Sequence, residues 1–174
     1  IDKHRKQMVV YKHVGADSTS LVNNNVDRIF EDRSGTIWIC TLGGLSELIR
    51  SRPHRFRNYL LNPKEADPVE GKHVSDIFQD HRSNLWVATY GRGLNRLERD
   101  GTHVRFLHPQ DSTGTQENWI YSIVEDHEGL FWLSTRAGLV SFDPRSGLFI
   151  RHEIGQLADA HIFGISVDQR NDLW

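Results

Sequence analysis

Hydrophobic and polar residues alternate in short segments along the chain, and turns containing glycine or asparagine separate these segments. Three segments are rich in β-branched and aromatic residues, namely Ile37–Thr41, Leu85–Thr89 and Phe131–Thr135. Such segments are typical of β-strands. The hydrophobic positions never settle into the 3.6-residue period of a helix. The pattern therefore predicts an all-β protein.

The segments recur in register. Four tryptophans are separated by 48, 46 and 42 residues, and each follows an aspartate by six residues. The tryptophans are Trp38, Trp86, Trp132 and Trp174. The aspartates are Asp32, Asp80, Asp126 and Asp168. Repeats of about 40 to 50 residues are typical of solenoids and β-propellers.

Each repeat is expected to form one propeller blade of four antiparallel strands. The fold class is therefore an all-β propeller segment, with three whole blades and partial blades at both ends. The expected ranges are 8–13 for the last strand of a preceding blade, 26–59, 74–108 and 120–152 for whole blades, and 162–174 for the start of another. Because a closed ring needs at least about four blades, residues 1–174 are expected to be a partial propeller domain of a longer protein.

The repeated aspartates and tryptophans are interpreted as structural. One aspartate per blade at a hairpin turn is explained by hydrogen bonds to turn amides. Asn84 and Asn171 are expected to replace glycine at positive φ or next to it. A tryptophan between aliphatic residues of a strand is explained by packing between blades. Cys40 aligns with Ala88 and Ser134 and is expected to be an inert buried thiol.

The motif hydrophobic-x-x-Ile-x-x-Asp-x-x-Gly-x-x-Trp-x-x-Thr, followed by Gly-Leu, resembles the two-component regulator propeller repeat. The resemblance covers residues 8–174. It implies a seven-bladed sensory propeller in the periplasm, as part of an inner-membrane hybrid histidine kinase or diguanylate cyclase. The chain carries no kinase or cyclase motif, and we expect this segment not to be an enzyme.

Composition and charge narrow the expected partners. The chain has 21 basic and 23 acidic residues, and a net charge of −2 offers no excess to neutralise phosphates. No apolar run approaches the roughly 20 residues of a membrane helix. We therefore expect no contact with nucleic acid or membrane. The single cysteine and the spacing of the ten histidines predict no metal and no cofactor. Exposed sheet edges predict self-association or further blades of the same chain.

The candidate ligand-binding residues come from the loops at one face of the propeller. Positions before the inner strands and in the second turn of each blade vary among the copies, whereas the scaffold positions repeat. These residues are Asn25, His73, Trp119, His161, Tyr90, Arg92 and Arg136. They could bind an anionic or sugar-like ligand through stacking and hydrogen bonds. The alternative is that they are ordinary solvated loop residues.

Three functions remain open at this point. The first is a sensory module for a small molecule or glycan, and the resemblance makes an oligosaccharide plausible. The second is an enzyme similar to streptogramin lyases, which would need a metal-assisted His/Glu site near the channel. His73 and His161 are the histidines that the pattern places there. The third is a passive protein-interaction scaffold.

Overall fold

The computed structural model describes residues 9–52, 55–59, 73–109, 116–155 and 160–174. Twelve strands and one short 3-10 turn (Gln116–Asn118) occur in these ranges. The strands are β1 (Val26–Glu31), β2 (Ile37–Thr41), β3 (Gly44–Leu48), β4 (Phe56–Tyr59), β5 (Val74–Gln79), β6 (Leu85–Thr89), β7 (Leu94–Leu97), β8 (His103–Phe106), β9 (Ile120–Glu125), β10 (Phe131–Thr135), β11 (Gly138–Asp143) and β12 (Leu148–His152).

The strands form three antiparallel sheets of four strands, each in sequence order: β1 to β4, β5 to β8 and β9 to β12. The first strand of each sheet is the inner one, because β1 contacts β5 and β5 contacts β9. The Ser75 hydroxyl donates to the Ile120 carbonyl at 2.6 Å across one of these contacts. The sheets are thus arranged as neighbouring propeller blades.

The aspartate after each inner strand organises the following turn. Oδ1 of Asp32 accepts hydrogen bonds from the amides of Ser34 and Thr36, and Oδ2 accepts one from Nε1 of Trp38 at 2.9 Å. The equivalent indole bonds to Asp80, Asp126 and Asp168 measure 2.9, 2.9 and 3.1 Å. Burial opposes ionisation of Asp32, but these bonds outweigh it and lower its pKa. The six-residue spacing therefore reflects a side-chain hydrogen bond as well as a turn.

The tryptophans differ in how they pack. Trp86 is 1% exposed, and its ring lies 5.0 Å from Phe131 and 5.7 Å from Phe142 of the next sheet. Trp38 packs against the second sheet in a cluster that includes Ile77. Trp174 is 76% exposed, although its indole still bonds to its aspartate. The core thus lies between the blades, where aromatic and aliphatic side chains pack together.

Two details differ from the sequence-based expectations. In the second blade the residue with positive φ is Ser83, at 68°, and not Asn84, whose side chain instead donates to Asp80. Residues 9–13 are not in a strand, because the described part of the chain offers them no strand to pair with. Met8 lies outside the described residues. Tyr11 lies with its ring edge-on to Phe56, 5.3 Å between ring centres.

Residues 162–174 contain a short hairpin. Val167 and Leu173 form an antiparallel bridge, and the amides of Ser166 and Trp174 each donate to the other's carbonyl at 2.9 Å. The turn is closed by Asp168 as in the three sheets. The repeat therefore continues beyond β12. No helix in the described ranges is long and apolar enough to cross a membrane.

Candidate functional site

A repeated backbone hydrogen bond pairs the two variable positions of each blade. The amide of the residue after the repeated threonine donates to the carbonyl of the residue before the inner strand. The pairs are Leu42 with Asn25 at 3.1 Å, Tyr90 with His73 at 3.1 Å, and Arg136 with Trp119 at 3.0 Å. Each blade therefore presents two neighbouring side chains at the same face.

The repeated threonine holds the turn that carries the second residue of each pair. The Thr89 hydroxyl donates to the Gly93 carbonyl at 2.9 Å, and Thr41 and Thr135 make the same bond at 2.8 Å to Gly44 and Gly138. All three threonines are fully buried. The turn is thus fixed by scaffold atoms, which leaves the variable side chains free to differ.

A β-bulge near the start of each inner strand adds a third variable position. The pairing register shifts between Val26 and Arg28, and it shifts at the same place in the other two sheets. The extra residues are Asp27, Ser75 and Tyr121. Phe163 follows Ile162 at the equivalent repeat position. Because bulges re-aim side chains, Asp27 and Tyr121 contact the loop residues His73 and Tyr90 on this face. Ser75 is instead buried and bonds to Ile120.

Six rings form a continuous series on this face, which we call the aromatic strip. The strip consists of His73, Tyr90, Trp119, Tyr121, Phe163 and His161. The distances between ring centres are 4.0 Å for His73–Tyr90, 5.9 Å for Tyr90–Trp119, 5.1 Å for Tyr90–Tyr121, 4.9 Å for Tyr121–Phe163 and 6.3 Å for His161–Phe163. The strip runs from the second blade to His161 and Phe163, which lie just before the terminal hairpin.

Neighbouring residues pack against the rings of the strip, and part of the ring surface is exposed to solvent. Phe163 is 70% exposed, whereas Trp119 and Tyr121 are half-buried. Gly91 has a φ of +81°, and a Cβ atom there would lie 3.3 Å from Nε1 of Trp119. The glycine therefore lets the turn pack closely against the indole. A ligand can reach the rings while their positions stay defined.

Polar and charged groups border the strip. His73 is hydrogen-bonded to Asp27 of the neighbouring inner strand. The Arg136 guanidinium carbon lies 5.0 Å from the centre of the Trp119 ring, within the range of a cation–π contact. Burial, reinforced by the charge of Asp27, raises the pKa of Tyr90. The phenol therefore stays neutral and can donate a hydrogen bond.

An ion pair between the half-exposed Arg28 and the buried Asp76 joins two of the inner strands. Arg28 Nη1 lies 2.8 Å from Oδ1 of Asp76, which is 1% exposed, and Oδ2 of Asp76 accepts the Ile123 amide at 2.9 Å. Burial raises the pKa of Asp76, although Arg28 acts in the opposite direction. One carboxylate thus connects β1, β5 and β9.

The structure brings together five of the seven sequence-predicted residues: His73, Tyr90, Trp119 and His161 in the strip, and Arg136 beside it. Asn25 lies in the corresponding pair of the first blade, and Arg92 lies in the turn that follows Tyr90. Sequence reasoning missed the bulge residues Asp27 and Tyr121, and it missed Phe163 at the equivalent position of the last repeat. The sequence signal that could have identified them is that the residue after the repeated β-branched position differs from repeat to repeat.

The described residues outside the strip show other features. In the described ranges, no group of three His, Cys, Asp or Glu residues could hold a metal ion. An open cleft of about 650 Å³ lies between the first two sheets, at the other end of the strands. Leu85 and Leu97 line it, and they occupy the positions that correspond to Phe131 and Phe142 in the next sheet. Cys40 is fully buried, and burial raises its pKa.

Comparison with known proteins identifies the repeat. The family model described as two component regulator propeller matches residues 20–43, 68–91 and 114–137. Histidine kinase P4 from Formosa agariphila is 34% identical over 88 residues, which are 49% of this chain and 6% of that protein. The chain therefore spans only a small part of this curated relative.

Two solved structures share the fold. The extracellular domain of a protein assigned to a hybrid two-component system of B. thetaiotaomicron matches with a TM-score of 0.73 and 24% identity, over 95% of this chain and 21% of that one. Virginiamycin B lyase from Staphylococcus aureus matches with a TM-score of 0.68 and 18% identity, over 89% of this chain and 50% of that one. These likenesses confirm the propeller fold.

Proposed function

Because the chain belongs to the two-component regulator propeller repeat family, we propose that it is a ligand-sensing module of a bacterial signal-transduction protein and binds its ligand at the aromatic strip. The observation that carries this proposal is the series of ring contacts across one face. The strip is formed by side chains that differ from blade to blade, whereas the backbone and threonine hydrogen bonds that hold the turns are the same in each whole blade. Variable side chains on a repeated frame are typical of a binding surface.

An oligosaccharide fits the chemistry of the strip. The apolar faces of sugar rings can pack on aromatic side chains, which supply large and rigid contact area. The groups that border the strip, His73, Asp27 and Arg136, can bond to the hydroxyls or acidic groups of a sugar. The strip extends over several rings and therefore suits a chain of sugars better than a single small molecule.

The position of the strip supports a mechanism by which ligand binding could be passed on to the rest of the protein. Its rings come from the second blade, the third blade and the segment before the terminal hairpin, so one ligand can contact all three. A ligand that binds one arrangement of the blades more tightly shifts the population toward it. We propose that this shift is passed on as a rigid-body movement or a change in dimer contacts. A periplasmic location and a kinase or cyclase output belong to the same proposal and rest on the family alone.

Binding of oligosaccharides to the protein tests the proposal. A glycan array would identify ligands, and calorimetry would measure their affinity for wild type, Trp119→Ala and Phe163→Ala. We expect saturable binding that each substitution weakens about tenfold, equivalent to about 1.4 kcal/mol. Trp174→Ala is the matched control, because Trp174 is exposed and lies outside the strip. Binding that the strip variants leave unchanged would contradict this site.

The two alternatives give other results in the same experiment. Magnesium-dependent turnover of a cyclic depsipeptide would support the lyase alternative. An array with no bound glycan, together with no turnover, would leave a protein-interaction scaffold. The proposed sensor is therefore distinguished from both by saturable binding without turnover.

A further inference from the structure

We propose that the ligand of the aromatic strip carries an acidic group, a carboxylate or a sulfate ester, and that Arg136 binds this group. The inference rests on the proposed function, because it concerns the same site. It assigns Arg136 as the residue that distinguishes acidic from neutral sugars. Three observations support it. They are the position of Arg136 in the repeat, the lack of hydrogen-bond partners for its guanidinium among the described residues, and the hydrogen bonds that the nearby carboxylates already make.

The fold does not need an arginine at this position. In the first two blades the equivalent residues are Leu42 and Tyr90, and they make the same backbone hydrogen bond that Arg136 makes. A leucine, a tyrosine and an arginine therefore serve equally well as part of the turn. The arginine has to be explained by its side chain.

The guanidinium of Arg136 is held in place without using its donors. Its central carbon lies over the Trp119 ring, 5.0 Å from the ring centre. A guanidinium is planar, and its N–H groups point outward in that plane. Its Nε is buried and has no hydrogen-bond partner. Among the described residues, no carboxylate forms an ion pair with Arg136. Because Nε is buried, bidentate binding of a carboxylate or sulfate would use the two terminal nitrogens of the planar fork.

The nearby acidic side chains already have partners. Asp27, at the edge of the strip, is bonded to His73. Glu117, in the turn that precedes Trp119, accepts a hydrogen bond from Arg151 at 3.1 Å. Neither carboxylate therefore competes with a ligand for Arg136.

Matched pairs of probes test this specificity on the protein. One pair is trigalacturonate and its fully methyl-esterified form, and the other is a sulfated galacto-oligosaccharide and the same compound after desulfation. We expect at least one acidic probe to bind ten times more tightly than its neutral partner. Sodium chloride should weaken that binding, because exposed charges are screened. Comparing the two pairs distinguishes a carboxylate from a sulfate.

Variants assign the effect to Arg136. Arg136→Gln should abolish the preference for the acidic probe, and Arg136→Lys should retain only part of it because an ammonium lacks the planar fork. Arg145→Gln, in the β11–β12 turn at the other end of the strands, is the control and should keep the full preference. Equal binding of acidic and neutral probes, or a preference that Arg136→Gln leaves intact, would overturn the inference.

Failure of this inference is distinct from failure of the proposed function. Neutral oligosaccharides that bind in a Trp119-dependent manner, with no gain from an acidic group, would overturn the role of Arg136 and support the strip as a site. Absence of binding by every acidic and neutral glycan tested would overturn both.

Discussion

Nε1 of Trp86 donates to Oδ2 of Asp80 at 2.9 Å, and both residues are almost completely buried. The bond connects the middle of β6 to the turn that precedes it. Oδ1 of the same aspartate accepts the amides of Arg82 and Asn84. One carboxylate thus fixes the hairpin turn and orients the largest side chain of the blade interface.

Asp80→Asn should destabilise the protein. The asparagine would present an NH₂ group where Oδ2 accepts the indole, leaving a buried donor without a partner. We expect the free energy of unfolding to fall by about 1.5 to 3 kcal/mol, the range for hydrogen bonds to charged groups. Urea unfolding would measure the change. Asp168→Asn removes the same bonds at an exposed turn, so it should have a smaller effect, and equal effects would contradict the importance of burial.

Trp86→Ala should leave a cavity between the second and third sheets. Trp86 is 1% exposed and contacts Phe106, Phe131 and Phe142. Truncation of a buried tryptophan costs about 3 to 5 kcal/mol, which chemical unfolding would detect. Trp174→Ala, at the same repeat position, removes a side chain that is 76% exposed. We expect its effect to stay below about 0.5 kcal/mol, and a loss under about 1 kcal/mol for Trp86→Ala would show that the packing contributes little.

Asp76 should make stability decrease as the pH rises. Burial raises the pKa of Asp76 above its ordinary value of 3.8. The folded state therefore holds the proton to higher pH than the unfolded state, and unfolding becomes more favourable above about pH 4. The stability of wild type relative to Asp76→Asn should fall as the pH rises from about 4 to 7. Urea unfolding across this range would measure it.

Asp32→Asn should show the opposite trend and is the matched comparison. Hydrogen bonds overcome the effect of burial and lower the pKa of Asp32 below 3.8. Its contribution is present above that pH and is lost as the pH falls through the folded pKa. The stability of wild type relative to Asp32→Asn should therefore fall below about pH 4. Parallel pH profiles for the two variants would refute both assignments.

Gly91→Ala should disturb the aromatic strip. Gly91 has a φ of +81°, and an added Cβ would lie 3.3 Å from Nε1 of Trp119. Gly147→Ala is the control, since Gly147 has a φ of +74° but no neighbouring atom within 4 Å of that position. Both substitutions should cost about 1 to 2 kcal/mol from backbone strain. The NMR signal of the Trp119 indole N–H should move in Gly91→Ala alone, and an equal shift in both would rule out direct contact.

The uncovered face of the first sheet, which carries Ile29 on β1, should promote self-association. Ile29 is 65% exposed, whereas its repeat equivalents Ile77 and Ile123 are 0% and 3% exposed because a preceding sheet covers them. We expect sedimentation velocity to show concentration-dependent association, which Ile29→Glu should reduce. Val104→Glu, on the outer strand β8, should leave it unchanged. A monodisperse monomer at every concentration would refute this prediction.

The repeat made most of the fold predictable from the sequence. The strands Ile37–Thr41, Leu85–Thr89 and Phe131–Thr135 have the predicted bounds because turn residues delimit strongly β-forming segments. The indole–carboxylate bond was not predicted, because packing of Trp38 and turn formation by Asp32 each explain the spacing separately. The positive φ of Ser83 was missed because asparagine tolerates that conformation better than serine.

The candidate site was predictable only in part. The positions of His73 and Trp119 follow from propeller topology, because loops before the inner strands must meet at one face. Tyr121 and Phe163 could not be placed in this way. A bulge shifts the alternation of faces by one residue, and simple alternation along β9 gives no sign of it.

The backbone bond between each pair of variable residues is the same in every whole blade, whereas the side chains of the pair differ from blade to blade. Leucine with asparagine, tyrosine with histidine, and arginine with tryptophan all occupy the same frame. Substitutions at these places change the side chains on this face while the backbone bonds that hold the turns can stay the same. Because rings of neighbouring blades contact one another, a substitution in one blade also changes the surroundings of the pair in the next.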